Sequence, residues 1–216
     1  WAALFATMLG TGFVEAPHPG RTIAFWKKAF DEGKPGAGEK LLTMIQTRIL
    51  RNDGVACNAM GSLLMDGKLV ARDPAAAAHY FAKACELGSS RGCANLAWQY
   101  LYTGQAESSA AVAQAMDTLE QECGQATEDE GEGCFFVGFA YEQGKGRPKD
   151  AARSLELYKQ AAGKGSLNAF KGIARSSLSG PDDLARAAQA LEKACAAGDA
   201  ESCQLLAALA QRLPPR

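Results

Sequence analysis

The chain has 216 residues, 47% of them hydrophobic, and a formal net charge of −1 from 23 basic and 24 acidic side chains interspersed along its length. That balance excludes general affinity for nucleic acid or anionic lipid. No run of about 18 apolar residues occurs, which excludes a membrane-spanning helix in this sequence. In chain order, residues 1–11 predict a first helix, followed by a loop through Pro17-His18-Pro19-Gly20. Residues 1–21 are expected to cap a repeat array over 22–216, of about five helix pairs plus a C-terminal helix. The chain opens on Trp1 instead of Met, so any signal peptide or upstream domain is expected to lie outside it. A helix over 22–33 and a partner over 38–51 follow, because Phe30-Asp31-Glu32-Gly33-Lys34-Pro35-Gly36 echoes Tyr141-Glu142-Gln143-Gly144-Lys145-Gly146. Longer amphipathic runs cover Asp73 to Leu87, Ser108 to Cys123, Asp150 to Ala162 and Asp182 to Ala196. Their starts carry Asp or Ser, sometimes beside proline as in Asp73-Pro74 and Pro181-Asp182. Apolar residues recur at three- and four-residue steps, as at Leu155, Tyr158, Ala161 and Ala162, and no alternating strand pattern appears.

Seven cysteines occur, and six fall into short-range couples: Cys85 with Cys93, Cys123 with Cys134, Cys195 with Cys203. The first and last couples share the frame K-A-C-x-x-G-x4-C, at Lys83 to Cys93 and Lys193 to Cys203. Eight residues of unbroken helix separate two Cα atoms by about 12 Å. A disulfide tolerates only about 4.4–6.8 Å. If these cysteines pair, the chain turns between them, with Gly88 and Gly198 in the left-handed conformation that ends a helix. Three disulfides imply an oxidising, periplasmic or secreted location. Without a CxxC and with only two histidines, no metal site is expected. Cys57 is the odd cysteine; its slot predicts a buried free thiol, a reactive or intermolecular one being the alternative.

Stacking the chain on the cysteine frame gives anchors at Ile23, Cys57, Cys93, Cys134, Phe170 and Cys203, 33 to 41 residues apart. Four positions on come Lys27, Gly61, Ala97, Gly138, Ala174 and Ala207, small in all cases but the first. A small residue there lets a neighbouring helix approach closely. The link Gly124 to Gly133 in the third unit is acidic and reads as a solvated loop, a partner-contacting loop being the alternative.

These features resemble the Sel1-like repeat family, a relative of the tetratricopeptide repeats. The pattern is carried by Phe135 to Gly144 with Ala151, Leu155, Tyr158, Ala161, Ala162 and Gly165, and again by Ala94, Leu96, Ala97, Tyr100 and Gly104. The cysteine frame is similar to the cysteine-rich secreted branch, in which such pairs bridge consecutive repeats. The resemblance implies an all-α fold, a right-handed α/α superhelical solenoid whose first helices line a groove for a protein or peptide. By analogy with tetratricopeptide geometry, positions −2, +1, +5, +8 and +9 from each anchor face that groove. They select Arg91, Trp98, Leu101 and Tyr102; Glu132, Phe135, Phe139 and Glu142; and Lys171, Arg175 and Leu178. Aromatics flanked by cations have the composition of a binding hot spot. The alternative is that Phe135 and Phe139 belong to the core.

Enzymatic signals are thin. The chain has no S-x-x-K with S-D-N and K-T-G, no G-x-S-x-G, no H-E-x-x-H and no phosphate loop. His18 and His79 lack an evident nucleophile or metal partner, and Asp182-Asp183 and Asp129-Glu130 fit helix starts and loops. The expected function is therefore non-enzymatic and without cofactor: an exported scaffold or adaptor holding another protein or peptide, an immunity protein against a toxic effector among the possibilities. A β-lactamase-like or peptidoglycan-binding protein is the competing class, which the resemblance to the cysteine-rich branch brings in.

Overall fold

The computed structural model describes residues 19–104, 108–123 and 131–211. The expected helix over 1–11, the Pro17-His18 part of the following loop, and 124–130 of the acidic link lie outside them. Every element among the described residues is an α-helix, and there are eleven. The chain forms two compact units, Trp1–Asn95 and Leu96–Arg216.

In the first unit, α1 (Pro19–Asp31) packs on α2 (Ala37–Ile49), and α3 (Gly54–Asp66) packs on α4 (Pro74–Glu86). α1 begins at Pro19, three residues before the expected start, since proline's fixed φ suits a first helical turn. Ile23 and Trp26 of α1, Leu41 and Ile45 of α2, and Ala56 and Met60 of α3 bury together. Their three- and four-residue spacing puts one stripe of each helix against its neighbours. Asp53 caps α3, its Oδ1 accepting from the Val55 and Ala56 amides at 2.9 and 3.2 Å. Asp73 does the same for α4 through the Ala76 amide at 2.9 Å.

α5 (Ser90–Thr103) contributes its beginning to the first unit and its end to the second. The second unit continues with α6 (Ser109–Cys123), α7 (Glu132–Gln143), α8 (Ala151–Gly163), α9 (Leu167–Arg175), α10 (Pro181–Ala196) and α11 (Ala200–Leu209). Each of α6 to α10 packs on its successor, and α7 also meets α9 as α9 meets α11. Val112, Met116, Leu119, Leu157, Tyr158 and Leu191 are among its most deeply buried side chains.

All three disulfides form, with Cα–Cα separations of 4.6 Å for Cys85–Cys93, 5.2 Å for Cys123–Cys134 and 4.8 Å for Cys195–Cys203. The two K-A-C corners are built alike. In one, the Gly88 amide donates to the Cys85 carbonyl and the Ser89 amide to the Ala84 carbonyl, both at 2.9 Å. In the other, Gly198 donates to Cys195 at 2.9 Å and Asp199 to Ala194 at 3.0 Å. Both glycines are left-handed, φ +80° and +97°; each helix ends one residue past its first cysteine, the glycine follows two residues later, and the next helix begins two residues beyond it. Cys57 is free and buried, and burial raises its thiol above the ordinary range.

Candidate partner-binding face

The small residues four positions past the anchors bring helices close. A Cβ on Gly61 would stand 2.5 Å from the Phe81 ring, and one on Gly138 2.9 Å from the Tyr158 ring. Gly172 of α9 presses on the opposite edge of Tyr158, where a Cβ would come within 2.6 Å. Tyr158 is thereby clamped between α7 and α9. Its hydroxyl donates a hydrogen bond to the Glu142 carboxylate. Burial above all, then the Glu142 carboxylate, pushes the pKa of this hydroxyl far above the ordinary tyrosine range, so it holds its proton more tightly.

From that buried ring an aromatic row runs outward. Tyr158 stacks on Phe135 at 5.6 Å between ring centroids, Phe135 on Phe139 at 6.0 Å, and Phe139 on Tyr102 at 5.5 Å. Trp98 lies against Tyr102 at 5.9 Å. Offset aromatic pairs at such distances are favourable beyond their area burial. The row passes from buried to exposed: Phe135 is 2% exposed, Phe139 half-buried, Tyr102 54% and Trp98 37% exposed. A tyrosine and a tryptophan held at a helix surface by rings beneath them form a firm, amphipathic contact surface.

Charged groups border the row. Glu132, Phe135, Phe139 and Glu142 follow one another at three- and four-residue steps on one stripe of α7. Ser166 Oγ and Asn168 Nδ2 donate to the two Glu132 oxygens at 2.9 and 3.3 Å. On α9, Lys171 Nζ lies 2.9 Å from Asp199 and 2.8 Å from Glu201, and Arg175 Nη1 lies 2.9 Å from the other Glu201 oxygen. Partial burial raises the Tyr102 hydroxyl; Arg175 opposes that shift, and Glu132, Glu201 and Glu142 add to it.

The structure brings Trp98, Tyr102, Phe139, Glu132, Glu142 and Arg175 to one face of the second unit. Three residues expected on the groove sit deeper. Phe135 and Leu101 are buried; for Phe135 the cause is that α7 is covered by both α8 and α9, on more of its circumference than a single groove stripe allows. Lys171 is only 8% exposed, with its ammonium turned onto the Asp199 and Glu201 carboxylates. Leu178, just past α9, is exposed. Arg91 belongs to the first unit, where it borders an open apolar hollow of about 530 Å³ with Ile23, Leu41, Val55, Asn58 and Ser62. Val55, Asn58 and Ser62 occupy offsets −2, +1 and +5 from Cys57, so the groove rule that picked out Trp98 and Phe139 also finds this hollow. Glu201 and Asp199 escaped the sequence reading, since nothing local shows that α11 side chains return to α9.

The Sel1 repeat sequence model matches residues 54–89 and 131–166. The chain carries Sel1-like repeats. The matched Sel1 segments are α3 with α4 and its closing turn, and α7 with α8 and its closing turn. Among solved structures, a Sel1 repeat protein from Oxalobacter formigenes is 22% identical with a TM-score of 0.60, over 90% of this chain and 79% of that one. A protective antigen present in uropathogenic Escherichia coli strains, displaying an SLR fold, is 17% identical with a TM-score of 0.42, over 99% of this chain and 57% of that one. At 22% identity the likeness to the Oxalobacter formigenes protein is one of fold. No curated protein matches the chain. Sel1 repeats are generally protein-interaction scaffolds. No helix among the described residues is long and apolar enough to cross a membrane, and none of their acidic, histidine and cysteine groups cluster as a metal site.

Proposed function

We propose that this Sel1-repeat chain is a non-enzymatic binding module, working outside the reducing cytoplasm, whose second unit holds a segment of another protein against Trp98 and Tyr102. The observation that carries this reading is the aromatic row itself: two exposed rings seated on Phe139 and Phe135, with Tyr158 locked beneath. A face ordered before its partner arrives loses little entropy on binding, so modest contact area yields useful affinity. Arg175, held by Glu201, borders the rings. Three disulfides support the export part of the reading.

The test is capture of native partners by purified protein, with bound chains identified by mass spectrometry. Trp98→Ala and Tyr102→Ala are expected to abolish capture while leaving thermal unfolding nearly unchanged. Capture unaffected by either substitution refutes the assignment of this face. A toxic effector among the captured chains would assign the role of an immunity protein.

A further inference from the structure

Glu132 and Glu142 stand out among the charged groups of the second unit's aromatic face. Glu201 and Asp199 are engaged by Lys171 and Arg175. Glu132 and Glu142 instead are held by neutral donors: Ser166 and Asn168 for the first, the Tyr158 hydroxyl for the second. None of the ion pairs among the described residues includes either carboxylate. The two sit on the same α7 stripe as Phe139, whose ring stacks directly on exposed Tyr102. The face thus presents aromatic planes beside two positioned carboxylates, while its own cations are spent on other acids.

Resting on the reading of this face as the binding surface, we infer that its occupant is a protein segment presenting an arginine side chain. A guanidinium is planar, stacks on aromatic faces and donates in a fork that suits carboxylate oxygens. The guanidinium lies over the Tyr102 and Trp98 rings and donates to Glu142 or Glu132, with its methylenes against the row. An acidic segment meets two carboxylates and finds Arg175 and Lys171 already paired, so it is disfavoured.

The experiment titrates labelled peptides of alternating glycine and arginine, glycine and glutamine, or glycine and glutamate into the full chain at low salt, reading anisotropy. The arginine peptide is expected to bind at least about tenfold more tightly than the glutamate peptide and to weaken as salt rises. Glu142→Gln keeps an acceptor for Tyr158 and should weaken arginine binding about threefold to tenfold; Glu132→Gln serves as an independent second variant whose capping partners are side chains alone. Trp98→Ala should weaken it similarly. Equal or tighter glutamate binding overturns the inference, as does arginine binding that ignores all three substitutions, or no measurable arginine binding. If native capture still depends on Trp98 while the arginine preference is missing, the binding face stands and its arginine selectivity falls.

Discussion

The two units share a frame and differ in what it presents. Phe81 lies over Gly61 in the first, and Tyr158 lies over Gly138 in the second, at the same distance along the sequence from Cys57 and Cys134. On the groove stripe the first unit carries Val55, Asn58 and Ser62, where the second carries Glu132, Phe135 and Phe139. Small and polar residues leave the open hollow of about 530 Å³. Aromatic residues fill the equivalent space and push a row of rings outward to Tyr102. The helix-pair frame and the exposed chemistry are therefore set by different positions of one repeat, which is why a binding face can change without loss of the fold.

The largest expected effects test the shared frame. Phe81→Ala and Tyr158→Ala should each lower unfolding stability by about 3–5 kcal/mol, measured in denaturant, because each leaves a cavity between two close helices. A large loss in one unit with none in the other would break the equivalence. Next come the corners. Removing Cys85–Cys93 or Cys195–Cys203 by paired substitution to alanine should cost about 2.5 kcal/mol each, from the entropy of a short closed loop. A thiol assay on denatured, unreduced protein should find a single reactive sulfhydryl, Cys57.

A smaller effect separates the units by pH. Tyr158 carries a hydroxyl bonded to Glu142, whereas Phe81 carries none. The folded state holds the Tyr158 proton more tightly than the unfolded chain does, so it binds more protons in alkali. The stabilisation is full below the unfolded tyrosine value of about 10 and declines as pH rises above it. Tyr158→Phe should flatten that decline and cost about 1–2 kcal/mol at neutral pH by leaving Glu142 without its donor. An unchanged alkaline profile would contradict the buried hydrogen bond. Arg91→Gln, at an exposed site of the first unit, should change stability by less than about 0.5 kcal/mol.

Much of this architecture was legible in the sequence because it rests on local rules. The glycine stops, Asp caps and cysteine corners each act within a few residues, and the helices they delimit run within a few residues of the expected bounds. The face was only partly legible. The offset rule selected Trp98, Tyr102, Phe139 and Arg175, but it treats a helix as having one exposed stripe. Phe135 lies on that stripe and is buried all the same, since Tyr158 from α8 stacks on it, with Gly172 from α9 pressed against the same Tyr158 ring. Lys171 turns inward for a similar reason: its partners Asp199 and Glu201 come from a helix about 30 residues on, and no local spacing announces them.

The most direct measurement compares partner binding and thermal unfolding for Trp98→Ala in the same preparation. A rigid, pre-formed binding face predicts that binding is lost while the midpoint of unfolding stays within a few degrees of the parent chain. Binding that survives, or a midpoint that falls together with it, would mean that Trp98 is part of the scaffold and the face lies elsewhere.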